Sequence, residues 1–289
     1  MTTGAAELPR RIVILCATPR SGSTLLCKLL ESSGVAGVPH SYFRRQDLAE
    51  WAAHWCLPNA SRQAIDRAYL GAAITAGSTP NGVFGLRLMA PTLPELLRDL
   101  RHLFGQGGTD LDLLDRAFGR PEFLFLRRLD PVAQAVSRLR AEQTGLWHEP
   151  SLEWRRPQGS AEPRYDFHRI RAYLREIEAG NAAWETWFTA NLIAPHRMRY
   201  EDLGVAPDSV AGAALEYLGL TPLPGRALQA PTQRMADALN AEWIARFKAE
   251  VDCAGHRREA PAAVPQAPPP ATAPRGPTVP QAGRSSRRP

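Results

Sequence analysis

Ile12-Val-Ile-Leu-Cys-Ala17, followed at once by Thr18-Pro-Arg-Ser-Gly-Ser-Thr24 and then Leu25-Leu-Cys-Lys-Leu-Leu-Glu31, decides how the rest of this chain is read. The opening run is short, apolar and rich in β-branched residues, the pattern of a buried strand. Small polar residues follow, and after them a segment with helical spacing. Strand, tight polar loop and helix together aim several backbone N–H groups and a helix dipole at one anion. The loop departs from the phosphate-binding pattern G-x-x-x-x-G-K-[ST], which needs Gly at 17 and Lys at 23 where this chain has Ala17 and Ser23. Its cation is Arg20, in the middle of the loop. The arrangement is a phosphate cradle for chemistry other than Mg-nucleotide hydrolysis; the plainer role for Arg20 is to satisfy loop carbonyls.

Outward from this loop, strand-like and helix-like segments alternate, which implies an α/β domain with a largely parallel sheet flanked by helices. Strands are expected at 12–17, 82–88, 122–127 and, shorter, 196–200. Helices are expected at 23–33, 61–75, 92–104, 131–144, 166–191, 208–218 and 240–252. The 166–191 helix puts Ile170, Tyr173, Leu174, Ile177, Trp184, Trp187 and Phe188 on one broad face, the signature of a core-packing helix.

A second anion site is expected where the third strand ends. Arg128-Leu-Asp-Pro131 follows it, with Asp130 placed as helix N-cap and Pro131 in the first turn. Arg128 then stands at the C-terminal edge of the sheet, where ligands of such folds bind, and Ser137 about two turns into the next helix. A guanidinium plus a hydroxyl suits a phosphate; alone, an Arg at a strand end reads equally as a surface ion-pair partner. The magnesium-binding carboxylate of nucleotide hydrolases is missing from this position.

The 289 residues carry a formal charge of +6, yet from His256 onward there are six arginines against one glutamate, so the basicity belongs to the tail. That argues against a nucleic-acid-binding face. Residues 256–289, rich in Pro, Ala and Arg, are expected to be disordered, residues 1–10 to be a flexible N-terminus, and 11–255 to be the folded domain. The apolar run at the N-terminus is too short for a signal segment or membrane span. Cys16, Cys27, Cys56 and Cys253 lack C-x-x-C spacing and read as reduced thiols in a cytoplasmic protein.

Taken in order, Pro19-Arg-Ser-Gly-Ser-Thr-Leu-Leu26, Ser33-Gly-Val-Ala-Gly37, Pro80-Asn-Gly-Val-Phe-Gly85, Arg128-x-Asp-x-x-x-Gln-Ala-Val-Ser137, Gln143-Thr-Gly-Leu-Trp-His148, Asn181-x-x-Trp-x-x-Trp-Phe188, Tyr200-Glu-Asp-Leu203 and Asn240-x-Glu-Trp-Ile-Ala-Arg-Phe247 resemble the PAPS-dependent sulfotransferases, most closely the bacterial trehalose 2-sulfotransferase family. The resemblance implies a P-loop-like sulfotransferase fold, with PAPS (3′-phosphoadenosine-5′-phosphosulfate) as sulfuryl donor, a carbohydrate or glycolipid acceptor, no metal, and homodimers in some relatives. Carried over by position, Pro19, Arg20, Ser21, Gly22, Ser23 and Thr24 would hold the 5′-phosphosulfate. Arg128 and Ser137 would hold the 3′-phosphate, with Arg234 on a late basic loop nearby.

On the acceptor side the chain departs from that family. Val38-Pro-His-Ser-Tyr-Phe43 stands where relatives carry Glu-Pro-x-Glu-[Phe/Tyr]-Phe, so Ser41 occupies the position of the family's proposed base. His40 is the nearest substitute, since its ordinary pKa near 6.5 suits proton transfer, provided the loop turns it inward. His148 is a second candidate base. His40, Tyr42, Phe43, Trp147 and His148 are the expected acceptor contacts. The alternatives are a PAPS- or PAP-binding homologue with weakened catalysis and, from another class, a P-loop kinase.

Overall fold

In a computed structural model the described residues are 9, 11–58, 65–145, 162–226, 228 and 238–259, with side chains described as far as 253. In chain order they form β1 (Arg11–Ala17), α1 (Ser23–Ser33), a single 3-10 turn (Arg45–Asp47), α2 (Leu48–His54), α3 (Arg67–Gly77), β2 (Val83–Met89), α4 (Thr92–Phe104), α5 (Asp110–Phe118), β3 (Arg120–Arg127), α6 (Pro131–Thr144), α7 (Phe167–Ala190), β4 (His196–Arg199), α8 (Tyr200–Val205), α9 (Pro207–Tyr217) and α10 (Ala238–Glu259). The sheet has the order β2-β1-β3-β4, and every neighbouring pair is parallel.

Both faces of the sheet are covered, which is why its strands read as unbroken apolar runs. Ile12, Ile14 and Cys16 of β1, with Phe84, Leu86 and Leu88 of β2 and Phe123 and Phe125 of β3, face α3, α4, α5 and the Trp184–Phe188 end of α7. The intervening residues Val13, Leu15, Val83, Leu124 and Leu126 face α1, α8 and α9. A third cluster joins α6 and α7 to Trp243 and Phe247 of α10.

Asp130 caps α6, accepting a hydrogen bond from the Ala133 N–H at 2.8 Å, and Pro131 opens that helix as the sequence implies. The expected face of α7 is realised: Ile170, Tyr173, Ile177, Trp184 and Phe188 are buried, and Leu174 and Trp187 pack at its margins. The helices α2, α5 and α8 were not expected from the sequence. The expected helix at 61–75 begins instead at Arg67, behind an Asp66 cap. Residues 1–249 form one compact unit; residues 250–289 form a second, whose described part is the end of α10. Of the expected flexible N-terminus (1–10) all but residue 9 lies outside the described residues; of the expected disordered tail (256–289), residues 256–259 belong to α10 and those from 260 lie outside the described residues.

Candidate active site

The parallel register carries the ends of β1, β3 and β4 to one edge of the sheet, and the candidate donor loop leaves from there. Arg20 adopts φ +66° and Gly22 φ +89°, both left-handed. For Arg20, a residue with a Cβ, holding that conformation costs about 1–3 kcal/mol, supplied by the packing around it. Gly22 occupies the N-cap position of α1 and gives no side-chain cap. α3, α5, α6 and α7 are capped by Asp66, Thr109, Asp130 and Asp166, whereas α2, α4, α8 and α9, like α1, have no side-chain cap. The first-turn amides of α1 are thus left for an external acceptor. Beneath them Ser21 is fully buried, and its hydroxyl has no partner among the described residues.

Buried side chains from two helices hold the loop from behind. The Gln134 amide Nε2–H group donates to Thr18 Oγ1 at 2.9 Å and to the Pro19 carbonyl at 2.6 Å. Thr18 Oγ1–H donates to Asn181 Oδ1 at 3.4 Å, and Trp184 Nε1–H to the Ala17 carbonyl at 3.0 Å. A Cβ on Gly180 would stand 3.0 Å from Thr18 Cγ2, so α7 lies directly against the loop. Two of the sequence landmarks, Gln134 and the Asn181–Trp184 pair, are therefore the loop's mount.

The two arginines of the expected donor site share this edge. Arg20 Nε–H donates to Ser137 Oγ at 3.1 Å, leaving the serine O–H able to donate elsewhere. The Arg128 guanidinium lies over the Tyr200 ring, 4.5 Å from its centroid, and the same ring covers Gly22, where an added Cβ would come within 2.5 Å of Tyr200 Cδ2. Glu201 accepts the Leu129 N–H at 3.1 and 3.2 Å, which fixes the backbone just after Arg128. Burial lowers the pKa of Arg20, the charge of Arg128 lowers it further, and Tyr200 opposes both. Two cations that repel through a partly desolvated space are suited to an anionic ligand with more than one charge.

The acceptor-side segment runs along the free edge of β2. Val38 N–H donates to the Gly77 carbonyl at 2.8 Å, His40 bridges to Leu86 in parallel fashion, and Arg87 N–H donates to the His40 carbonyl at 3.1 Å. The approach requires bare backbone on both sides: a Cβ on Gly37, at φ +73°, would fall 2.1 Å from Gly85 N. His40 is exposed, edge-on to Trp51 with ring centroids 4.9 Å apart, and its Nδ1 accepts the Ser41 N–H at 3.0 Å. Desolvation of the ring against its neighbours pulls its pKa down to about 4; Arg87 and Lys28 act the same way, against Asp47 and Glu31. Ser41 turns the other way, is buried, and accepts from Arg87 Nε–H at 2.9 Å.

Two expected acceptor contacts need correction. Tyr42 and Phe43 are each 2% exposed and belong to the core, with Tyr42 Oη–H bonded to the Val38 carbonyl and the Tyr42 carbonyl accepting from Tyr69 Oη–H. Their rings gain more from the aromatic cluster with Trp51, Trp55, Phe84 and Phe118 than from an exposed sugar-facing position, so they anchor the segment. Trp147, His148 and Arg234 lie outside the described residues. Pro19, Arg20, Ser21, Gly22, Ser23, Thr24, Arg128 and Ser137 do converge at one sheet edge. The residue the sequence reading missed is Arg87, the lone charge in an otherwise apolar strand.

The sequence profile described as Stf0 sulphotransferase matches residues 12–250. A trehalose 2-sulfotransferase of Mycolicibacterium smegmatis is 30% identical over 261 residues, covering 81% of this chain and 93% of that protein. One of Mycobacterium tuberculosis is 28% identical over 262 residues, covering 83% and 95%. Among solved structures, the sulfotransferase domain from the curacin biosynthetic pathway overlaps with a TM-score of 0.45 at 18% identity, over 82% of this chain and 83% of that one. With a profile that runs from the first residues of β1 into α10, the chain belongs to the Stf0 sulphotransferase family.

Proposed function

We propose that this protein moves a sulfuryl group from PAPS to a hydroxyl of a carbohydrate or glycolipid in the cytoplasm. The observation that carries the donor assignment is the meeting of Arg20 and Arg128 beside the uncapped start of α1. PAPS supplies an activated sulfuryl group and two separate phosphates. In this reading the 19–24 loop takes the phosphosulfate, and Arg128 with the Ser137 hydroxyl takes the 3′-phosphate. Sulfuryl transfer is an in-line displacement in which charge builds on the leaving phosphate oxygen; Arg20 and the loop amides would face that charge, so positioning and electrostatics dominate. The curated relatives, named for trehalose, support a sugar acceptor. The four unpaired cysteines support a reducing compartment.

His40 is the proposed base. At neutral pH its ring is uncharged, and with a pKa drawn down to about 4 it has the proton affinity of a carboxylate. Because Nδ1 accepts the Ser41 amide, the ring proton rests on Nε2, and base action at Nδ1 requires the acceptor hydroxyl to displace that N–H. The second reading, a nucleotide-binding homologue with weakened catalysis, draws on Val38 and Ser41, which leave the acceptor segment without a carboxylate. Turnover of labelled PAPS over a panel of disaccharides and cell-envelope glycolipids separates the two: sulfated product supports the transferase, and nucleotide binding without product supports the homologue. Tighter binding of Mg-ATP than of PAP would point to a kinase instead.

A further inference from the structure

The segment that carries His40 runs into the 3-10 turn and α2, and these have no role in the transfer described so far. Leu48 and Ala52, four residues apart, bury one side of α2. Trp51 and Trp55, also four apart, lie beside them as a stacked pair, with centroids 5.2 Å apart and planes 22° from parallel. Tyr42, itself in the core, backs Trp51 at 5.1 Å. Trp51 stays half-buried, and the exposed His40 ring stands against it at 4.9 Å with the planes 80° apart. Two flat rings that meet near a right angle make a corner at the surface. Its polar groups are few. The indole N–H of Trp51 has no hydrogen-bond partner among the described residues, whereas Trp184 and Trp187 each donate theirs. Two carboxylates reach the same ring electrostatically: Glu31 of α1, bonded to Lys28 at 2.8 Å, and Asp47 of the 3-10 turn, bonded to Arg44 at 2.6 and 2.7 Å.

A single exposed aromatic is ordinary on a protein surface. Here the half-buried indole adjoins the proposed base, with an N–H to give and tethered carboxylates that still have lone pairs to offer. Such a corner suits a ligand with C–H groups on its faces and hydroxyls around its rim, which is the chemistry of a hexopyranose. We propose that Trp51 binds the acceptor: the C–H face of one hexopyranose ring lies against the indole, and a hydroxyl at the rim of that ring is turned toward His40. This rests on the carbohydrate reading above and adds the residue that selects the ring. A sugar stacked there gains from apolar area removed from water, while its rim hydroxyls meet the indole N–H, Glu31 and Asp47. A lipid chain would cover the indole equally well but leave those groups without a partner, so the sugar end of the acceptor is the part that docks here.

Trehalose, maltose, cellobiose and lactose are the probes, titrated calorimetrically into the full chain alone and in the presence of PAP. Trp51→Leu keeps apolar bulk against Tyr42 and Trp55 and loses the flat face. It is expected to weaken binding of the preferred sugar about tenfold, with PAP binding held within about twofold. Trp51→Phe, which keeps a smaller ring, is expected to lose about threefold, and it carries the same comparison if Trp51→Leu does not fold. Sugar affinities equal to the parent's would overturn the role of Trp51 and leave the carbohydrate reading standing. Equal losses for sugar and PAP would also overturn it, because they mark a residue that only supports the fold. Binding of none of the four sugars by an unaltered protein that binds PAP would overturn the carbohydrate reading, and the role of Trp51 with it.

Discussion

Arg20 and Ser137 are 117 residues apart in the chain, yet the arginine Nε–H donates to the serine hydroxyl at 3.1 Å across the edge of the sheet. The bond ties the loop after β1 to the second turn of α6, the two segments proposed to grip opposite ends of one nucleotide. Ser137→Ala removes a donor to the ligand and a tether for Arg20 without opening the core. PAP affinity should fall about tenfold while the melting temperature of the free protein stays nearly unchanged; an unaltered Kd would remove Ser137 from the site.

Gly22 tests how closely Tyr200 covers the loop. Its φ of +89° is one that side-chain-bearing residues rarely adopt, and a Cβ there would meet Tyr200 Cδ2 at 2.5 Å. Gly22→Ala is expected to lose both stability and nucleotide binding. Adding Tyr200→Ala relieves the contact but not the backbone strain, so the double variant should recover stability only in part. Full recovery, read from urea midpoints, would show that φ at Gly22 costs nothing.

Gln134 holds the loop through Thr18 and Pro19 while fully buried. Gln134→Leu fills nearly the same volume and leaves a hydroxyl and a carbonyl short of a donor. The expected loss is about 1–3 kcal/mol in urea unfolding, together with weaker PAP binding. A variant as stable as the parent would mean that the loop's carbonyls find other partners.

The folded-state pKa of His40 lies near 4, below its ordinary value of about 6.5. As pH falls, the unfolded chain therefore takes up this proton first. Above about 6.5 the group costs nothing, and stability declines as pH drops from there toward 4. His40→Gln should flatten that part of the parent's stability profile, and the difference between the two profiles isolates this one group from the titrating carboxylates. If His40 is the base, the acid limb of kcat/KM should also fall near pH 4. A limb at 6.5 would show that the exposed ring keeps its ordinary proton affinity, neither desolvation nor the charge of Arg87 lowering it.

How much of this was legible in the sequence follows from how local each signal is. The strands, the first helix and the Asp130–Pro131 start of α6 carry their patterns within a few residues, and the structure reproduces them with small shifts at the ends. The helix α5 had a local signal that went unread, since Thr109 and Asp112 form a capping box. The short α2 follows a 3-10 turn and lacks a side-chain cap, so nothing marked its start. Arg87 could not be found this way. Its partners Thr24 and Ser41 are 63 and 46 residues distant; the pairing of β2 with β1 brings the first into reach, and the bridge of His40 to the free edge of β2 brings the second. Tyr42 and Phe43 are expected acceptor contacts by their place in the 38–43 segment, but Trp51, Trp55, Phe84 and Phe118, distant in sequence, pack against them and bury both rings.

The most direct measurement is titration calorimetry of PAP into the full chain in the presence of EDTA, repeated with Arg20→Ala and Arg128→Ala. The account predicts one-site binding to the unaltered protein without any metal, and losses of at least about tenfold in each variant, because each removes a charge that a phosphate would face. No binding of PAP by the unaltered protein, or affinities in both variants equal to the parent's, would contradict it.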